Sequence, residues 1–201
     1  MNITTEKLRT QLLNLPGKKY QDLMMPSYRG EILKGEKKLD SAVMIILYEK
    51  NNKLYTSIIK RSVYNGKHSG QMALPGGKFQ ESDNNLKNTA IRETFEEIGV
   101  KINDHEIIGE LTSLMIPVSN ILITPFICFI DYSPKFKINK TEVQQIYEVP
   151  ISDFAISKKI KTETQYNTTV TIPYFDIQNE TVWGATAMIF SEFLEIVKRS
   201  V

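Results

Sequence analysis

One cysteine in 201 residues, Cys128, leaves the chain without a partner for an internal disulfide. Set inside the apolar run ILITPFICFI, it reads as a buried core residue, and a reducing, cytoplasmic setting fits it. An excess of one charge is also missing. The chain has 25 Lys and Arg against 23 Asp and Glu, a net charge of +2, which argues against nucleic acid or an anionic membrane as partner. No apolar run reaches the ~18 residues of a membrane-spanning helix. The opening MNITTEKLRTQLLNL alternates charged and apolar residues, unlike the apolar centre of a leader, and Lys198-Arg199-Ser200-Val201 is not a peroxisomal or retention tripeptide signal. Internal repeats, low-complexity tracts and interdomain linkers are absent too. What is present, 41% hydrophobic and 24% charged residues, suffices to bury a core without a structural metal. The expectation is a single α/β domain over 1–201, with an N-terminal helix and irregular extension over 1–40 and a C-terminal helix over 184–199.

In chain order, Thr4 or Thr5 caps a short helix carrying Leu8, Leu12 and Leu13, and 18–40 reads as irregular. Ser41 to Glu49 and Leu54 to Arg61 are β-branched apolar runs forming a hairpin. Residues 62–70 form a loop, Gln71 to Leu74 a short strand, and Pro75-Gly76-Gly77 ends any regular element. A helix capped by Ser82 or Asp83 runs to Ile98 and stops on Gly99. Further strands are expected over Glu106 to Ile116, Ile121 to Asp131, Glu142 to Pro150 and Thr168 to Phe175. A short helical piece covers Ser152 to Ile156. The last helix carries Met188, Ile189, Phe193, Ile196 and Val197 at core spacing.

The informative stretch is Gly76 to Val100. At about 100° per residue, Glu93, Glu96 and Glu97 share one narrow arc, with Ile91, Phe95 and Ile98 roughly opposite. Like charges three and four apart repel, and Glu96 and Glu97 stand at the negative end of the helix dipole. A run of glutamates ordinarily means a solvated face. This one follows a double glycine, contradicts the dipole and ends in Gly99, so it reads as a set of hard oxygen ligands awaiting a divalent cation such as Mg²⁺. Such a site suits hydrolysis of a phosphoanhydride. Arg92 either orients a carboxylate or holds a phosphate.

Gly77, Arg92-Glu93, Glu96-Glu97 and Gly99-Val100 resemble the signature of the Nudix hydrolases, which cleave nucleoside diphosphates linked to another group. The interval from Gly77 to Arg92 is one residue longer than the general signature, Asp83 stands near the expected glutamate, and Thr94 fills a usually aliphatic place. Upstream, Ile58 to Ser62 followed by His68-Ser69-Gly70-Gln71-Met72-Ala73-Leu74-Pro75-Gly76-Gly77 resembles the extra motif of the coenzyme A pyrophosphatase branch, which has the same extension. That branch often carries an arginine where this chain has Gly66.

The resemblance implies an α/β/α sandwich around a mixed β-sheet, and cleavage of coenzyme A to 3′,5′-ADP and 4′-phosphopantetheine with Mg²⁺ or Mn²⁺. Glu93, Glu96 and Glu97 would be metal ligands, joined by the carbonyl of Gly77 and by Glu142, preferred over Glu148. Arg61, Lys67 and His68 would meet the substrate's phosphates. His68 has an alternative role in fixing its loop, as has Gln71. The expected partner is a small-molecule diphosphate, and a homodimer is among the expected assemblies. Other Nudix substrates (ADP-ribose, dinucleoside polyphosphates) and a non-catalytic nucleotide-binding domain are the competing readings.

Overall fold

The computed structural model describes residues 3–28, 38–66, 68–165 and 168–201. Its organising element is β1 (Leu39–Lys50), which pairs from Leu39 to Tyr48 in parallel with the whole of β7 (Ile121–Ile130). On its other side, β1 pairs with β2 (Lys53–Arg61) only near the turn, from Lys50↔Lys53 to Leu47↔Thr56. Beyond that point the two strands part. β3 (Met72–Ala73) pairs with β2, and β4 (Gly76–Lys78) pairs with β1 through Ala42↔Gly77. The hairpin's divergence therefore seats the double glycine inside the sheet. Pro75-Gly76-Gly77 does not end regular structure, because the ladder with β1 supplies what glycine lacks in strand propensity.

β5 (Ile107–Glu110) and β6 (Leu114–Ile116) pair with β7, and β8 (Val143–Pro150) pairs with β2, completing an eight-stranded mixed sheet. The single strand expected over Glu106 to Ile116 is thus two. The chain breaks at Thr112, whose N–H and hydroxyl both turn to Glu192.

Both faces of β1 are covered, which explains its near-continuous apolar run. Ala42, Met44, Ile46 and Tyr48 face α3 (Leu86–Ile98), while Ile45 and Leu47 face α5 (Gly184–Arg199). The result is the expected α/β architecture, a mixed sheet flanked by helices. On the α5 side lie also α4 (Ile151–Ile156) and a separate three-stranded antiparallel sheet of β9 (Lys158–Gln165), β10 (Thr168–Ile177) and β11 (Glu180–Trp183). All five core positions expected on α5 are buried.

The N-terminal segment is more ordered than an irregular extension. After α1 (Thr5–Leu12), capped by Thr4, a short helix α2 (Lys18–Gln21) packs on α5. The fully buried Glu192 of α5 accepts hydrogen bonds from Gly17 N and Gln21 Nε2, as well as from Thr112. Residues 29–37, part of the stretch expected to be irregular, lie outside the described residues. Among the described residues no helix is long and apolar enough to cross a membrane.

Candidate metal and phosphate site

α3 starts on neither Ser82 nor Asp83. Asn85 caps it, accepting from Asn88 N at 2.9 Å, while Asp83 closes a preceding 3₁₀ turn, Glu81–Asp83. The helix ends as expected, on Gly99 with φ 72°. Its last carbonyls find donors in the following loop, Lys137 N to Ile98 O and Asn139 N to Glu97 O. The buried face runs through Ala90, Thr94, Glu97 and Ile98. Phe95, expected on the apolar side, is 56% exposed. Small and functional residues occupy the stripe facing β4, so hydrophobicity is a poor guide to which side of this helix points inward.

The shared arc of the three glutamates straddles the helix's boundary with the core. Glu97 is 1% exposed, and its Oε2 accepts from Gly76 N at 2.9 Å. Desolvation pushes its pKa up to about 7. The charges of Glu93 and Glu142 add to the shift, while the Gly76 hydrogen bond and the Arg61 charge oppose it. Glu93 is likewise raised, again chiefly by burial. The side chain of Glu96 is 49% exposed.

The contacts of Arg92 bear on the two roles the sequence left open. Its Nε and Nη2 form a fork on Asp83 at 2.7 and 3.0 Å, and Nη1 donates to Glu93 at 2.8 Å and to Glu96 at 2.9 Å. Nη2 also donates to Lys78 O. A guanidinium has five N–H groups, and these contacts engage all five. In this arrangement every donor of Arg92 faces a carboxylate or a carbonyl oxygen.

Gly76 and Gly77 fit the helix against the strand. At Gly77 a Cβ would stand 2.5 and 2.6 Å from the carboxylate oxygens of Glu93; at Gly76, whose φ is 152°, it would strike Ala42 O and come within 2.6 Å of Val43 Cα. The carbonyl of Gly77 accepts from Ser41 Oγ at 2.6 Å. The backbone edge turned to the carboxylates belongs instead to Gly76, whose N–H reaches Glu97. The register with β1, Ala42↔Gly77 and Val43↔Gly76, sets which backbone groups of the two glycines turn to β1 and which turn away from it. These contacts predict opposite results for two alanine variants. Gly77→Ala displaces only the mobile end of Glu93, so initial rates fall at least about tenfold while stability changes by about 1 kcal/mol or less. Gly76→Ala presses on fixed backbone and lowers the melting temperature.

Arg61 ends β2 with Nη1 3.7 Å from Glu97 Oε1, and its Nε is buried without an acceptor among the described residues. Glu142 lies in the loop before β8, with its carbonyl bonded by Ser62 N and its carboxylate by Asn139 Nδ2. Its charge bears on both Glu93 and Glu97. Glu148 is engaged elsewhere, by Tyr48 and Lys50. His68 takes φ 66° and pairs its Nδ1 with Gln71 Oε1 at 3.1 Å, the loop-fixing geometry. Lys67 lies outside the described residues.

Among the described residues no three acidic, histidine or cysteine side chains are placed close enough to hold a metal ion. Glu93 and Glu96 are drawn to Arg92, and Glu97 to Gly76. The donor chemistry nevertheless fits a hard divalent cation. Glu93, Glu96, Glu97 and Glu142 supply carboxylate oxygens, and the guanidiniums of Arg61 and Arg92 beside Glu97, Glu93 and Glu96 stand on the side a bound cation would share.

Residues 38–166 match the NUDIX domain family. The Nudix hydrolase NudL of Pectobacterium atrosepticum is 30% identical over 139 residues, 67% of this chain and 71% of that protein. A peroxisomal coenzyme A diphosphatase, ndx-8, of Caenorhabditis elegans is 32% identical over 124 residues, covering 60% of this chain and 53% of that protein. In fold, a MutT/nudix family protein from Enterococcus faecalis aligns with a TM-score of 0.56 at 16% identity, over 98% of this chain and 76% of that one. With the carboxylate helix, the glycine-bearing strand and the mixed sheet in place, the chain belongs to the Nudix family and is a Nudix hydrolase.

Proposed function

We propose that this Nudix hydrolase cleaves the diphosphate of coenzyme A or its acyl derivatives, giving 3′,5′-ADP and (acyl-)4′-phosphopantetheine, with Mg²⁺ or Mn²⁺. The observation that carries the reading is the meeting of Arg61 and Glu97. A guanidinium with a buried N–H lacking an acceptor among the described residues sits beside a buried carboxylate, where the end of β2 meets the carboxylate helix. A phosphate bearing a bound cation satisfies both groups. The match to the nematode coenzyme A diphosphatase supports the choice of substrate, as does the motif from Ile58 to Gly77.

Glu93, Glu96, Glu97 and Glu142 would hold the cation, with the backbone edge at Gly76 close by. Once bound, it neutralises phosphate oxygens and acidifies a water. Arg92 keeps Glu93 and Glu96 aimed by anchoring itself to Asp83. Arg61 binds a phosphate oxygen through its free donors. A water oxygen attacks one phosphorus, the bond to the bridging oxygen breaks, that oxygen leaves with the electron pair on the other phosphate, and the water's proton passes to a carboxylate. Residues 1–201 act as one unit in this reading, because α5 and the N-terminal segment supply much of the core behind β1. A reducing, cytoplasmic setting accords with a buried free Cys128.

The test is incubation with coenzyme A, ADP-ribose, NADH and a dinucleoside polyphosphate, with and without Mg²⁺ or Mn²⁺, with the products resolved. Coenzyme A should be cleaved fastest, and only with metal. Preferential turnover of ADP-ribose would sink the coenzyme A assignment, and no cleavage of any diphosphate would sink the hydrolytic one.

A further inference from the structure

The crossing from β7 to β8 ends on Asn139-Lys140-Thr141-Glu142, a turn closed by Glu142 N and Val143 N, which donate to Asn139 O at 3.0 and 2.8 Å. Asparagine suits the first position because its short amide can stand in for backbone partners. Here Asn139 Oδ1 accepts from Thr141 N at 3.2 Å and from Thr141 Oγ1 at 2.7 Å, while Nδ2 donates to Glu142 Oε1 at 3.0 Å. The orientation of that amide is forced. Only its oxygen can receive the Thr141 N–H, and only its nitrogen can meet an ionised carboxylate.

The turn is tied to the site on two flanks. Asn139 N donates to Glu97 O at 2.8 Å, so the residue that bonds the Glu142 carboxylate also holds the helix end at the glutamate that meets Gly76. On the other flank Ser62, next to Arg61, donates through N to Glu142 O at 2.8 Å and through Oγ to Lys140 O at 3.2 Å. Glu142 itself is exposed, and a glutamate left to solvent has many rotamers of similar energy. The bond from Asn139 Nδ2 selects among them. We infer that Asn139 is a positioning residue: its amide aims the Glu142 carboxylate at the cation while its backbone holds the end of the glutamate helix, so the two sides of the metal site keep a fixed relation. The inference rests on the reading of Glu142 as a metal ligand and adds what holds that ligand in place.

Mn²⁺ binding to the full chain, measured by titration calorimetry without substrate, tests this with Asn139→Asp. Aspartate keeps the acceptor for Thr141 and puts a second carboxylate where the donor to Glu142 stood, so the turn survives and Glu142 is repelled. Mn²⁺ affinity should fall about tenfold, the scale on which partners of metal ligands act. The melting temperature in chelator should stay within about 2 °C of the parent. In the background of Glu142→Gln, which should itself weaken Mn²⁺, Asn139→Asp should cost less than about twofold more, because no carboxylate remains to be aimed. In turnover, the loss in Asn139→Asp should shrink as Mn²⁺ is raised. Equal losses in the two backgrounds overturn the proposal, since they assign the effect to the turn, and so does Mn²⁺ affinity that is unchanged or tighter in Asn139→Asp. If Glu142→Gln binds Mn²⁺ as the parent does, Glu142 is no ligand, and the proposal falls with that assignment while the hydrolase reading stands. A parent protein that binds no Mn²⁺ defeats the metal site as a whole.

Discussion

Glu97→Gln abolishes turnover, by at least about a thousandfold, and at the same time makes the metal-free protein more stable at pH 8. The two effects have one cause. Glu97 is 1% exposed, and burial, more than any neighbour, pushes its pKa up to about 7. The sign follows from which state holds the proton. Between the unfolded value near 4.5 and the folded value near 7, the native chain keeps a proton that the unfolded chain has released, so stability falls as pH rises through this window. Above it the buried charge costs about 3 kcal/mol. Glutamine removes that cost, and its amide oxygen still accepts from Gly76 N. Arg61 loses its anion, which returns part of the gain.

The net expectation is a stabilisation of about 1 to 2 kcal/mol, or about 3 to 6 °C in melting temperature for a chain of this size. In the presence of a chelator the parent should lose stability from pH 5 to pH 8, and the variant should be nearly flat. Added Mn²⁺ should raise the parent's melting temperature and not the variant's. Unchanged turnover in Glu97→Gln would remove this residue from the metal site. A destabilised variant at pH 8 would show that its charge is already compensated in the fold.

This coupling of cost and function was partly legible in the residues. The conflict between Glu96, Glu97 and the helix dipole marks α3, and Gly99 marks its end, because both are local properties of a helix. The side each glutamate faces was not legible. It depends on β4, a three-residue strand of Gly76, Gly77 and Lys78 whose existence comes from pairing with β1 and not from propensity. The same holds for β9, where KKIKTETQ carries one apolar residue in eight and is a strand only because β10 lies beside it. Phe95 misled because an amphipathic pattern assumes that the buried stripe is the apolar one, whereas α3 turns a carboxylate inward. Arg92 shows the limit most directly: its position in the signature is plain, but that all five of its donors are engaged is a fact of three dimensions.

Asp83→Asn should be the most damaging substitution among residues that never meet the metal or the substrate. Asp83 is 5% exposed and accepts from Gln80 N, Thr89 Oγ1 and both arms of the Arg92 fork. Its pKa is held down to about 2, above all by the hydrogen bonds from Arg92. A lowered carboxylate contributes stability that is fully present above its unfolded value near 4 and is lost as pH falls toward 2, about 2 kcal/mol in all. Asparagine cannot receive a charged fork on two oxygens, and breaking one side of such a partly buried pair costs about 2 to 4 kcal/mol. The variant should melt about 5 to 10 °C below the parent at pH 7 and approach it as the parent is acidified through pH 3. Activity should fall as well, because Arg92 without its anchor no longer holds Glu93 and Glu96 on one nitrogen. At a temperature where both proteins are folded, the loss should appear as weaker Mn²⁺ affinity, with rates partly restored by excess metal. A variant that melted lower but bound Mn²⁺ as the parent does would confine Asp83 to the fold and leave the aim of Glu93 and Glu96 to the helix alone.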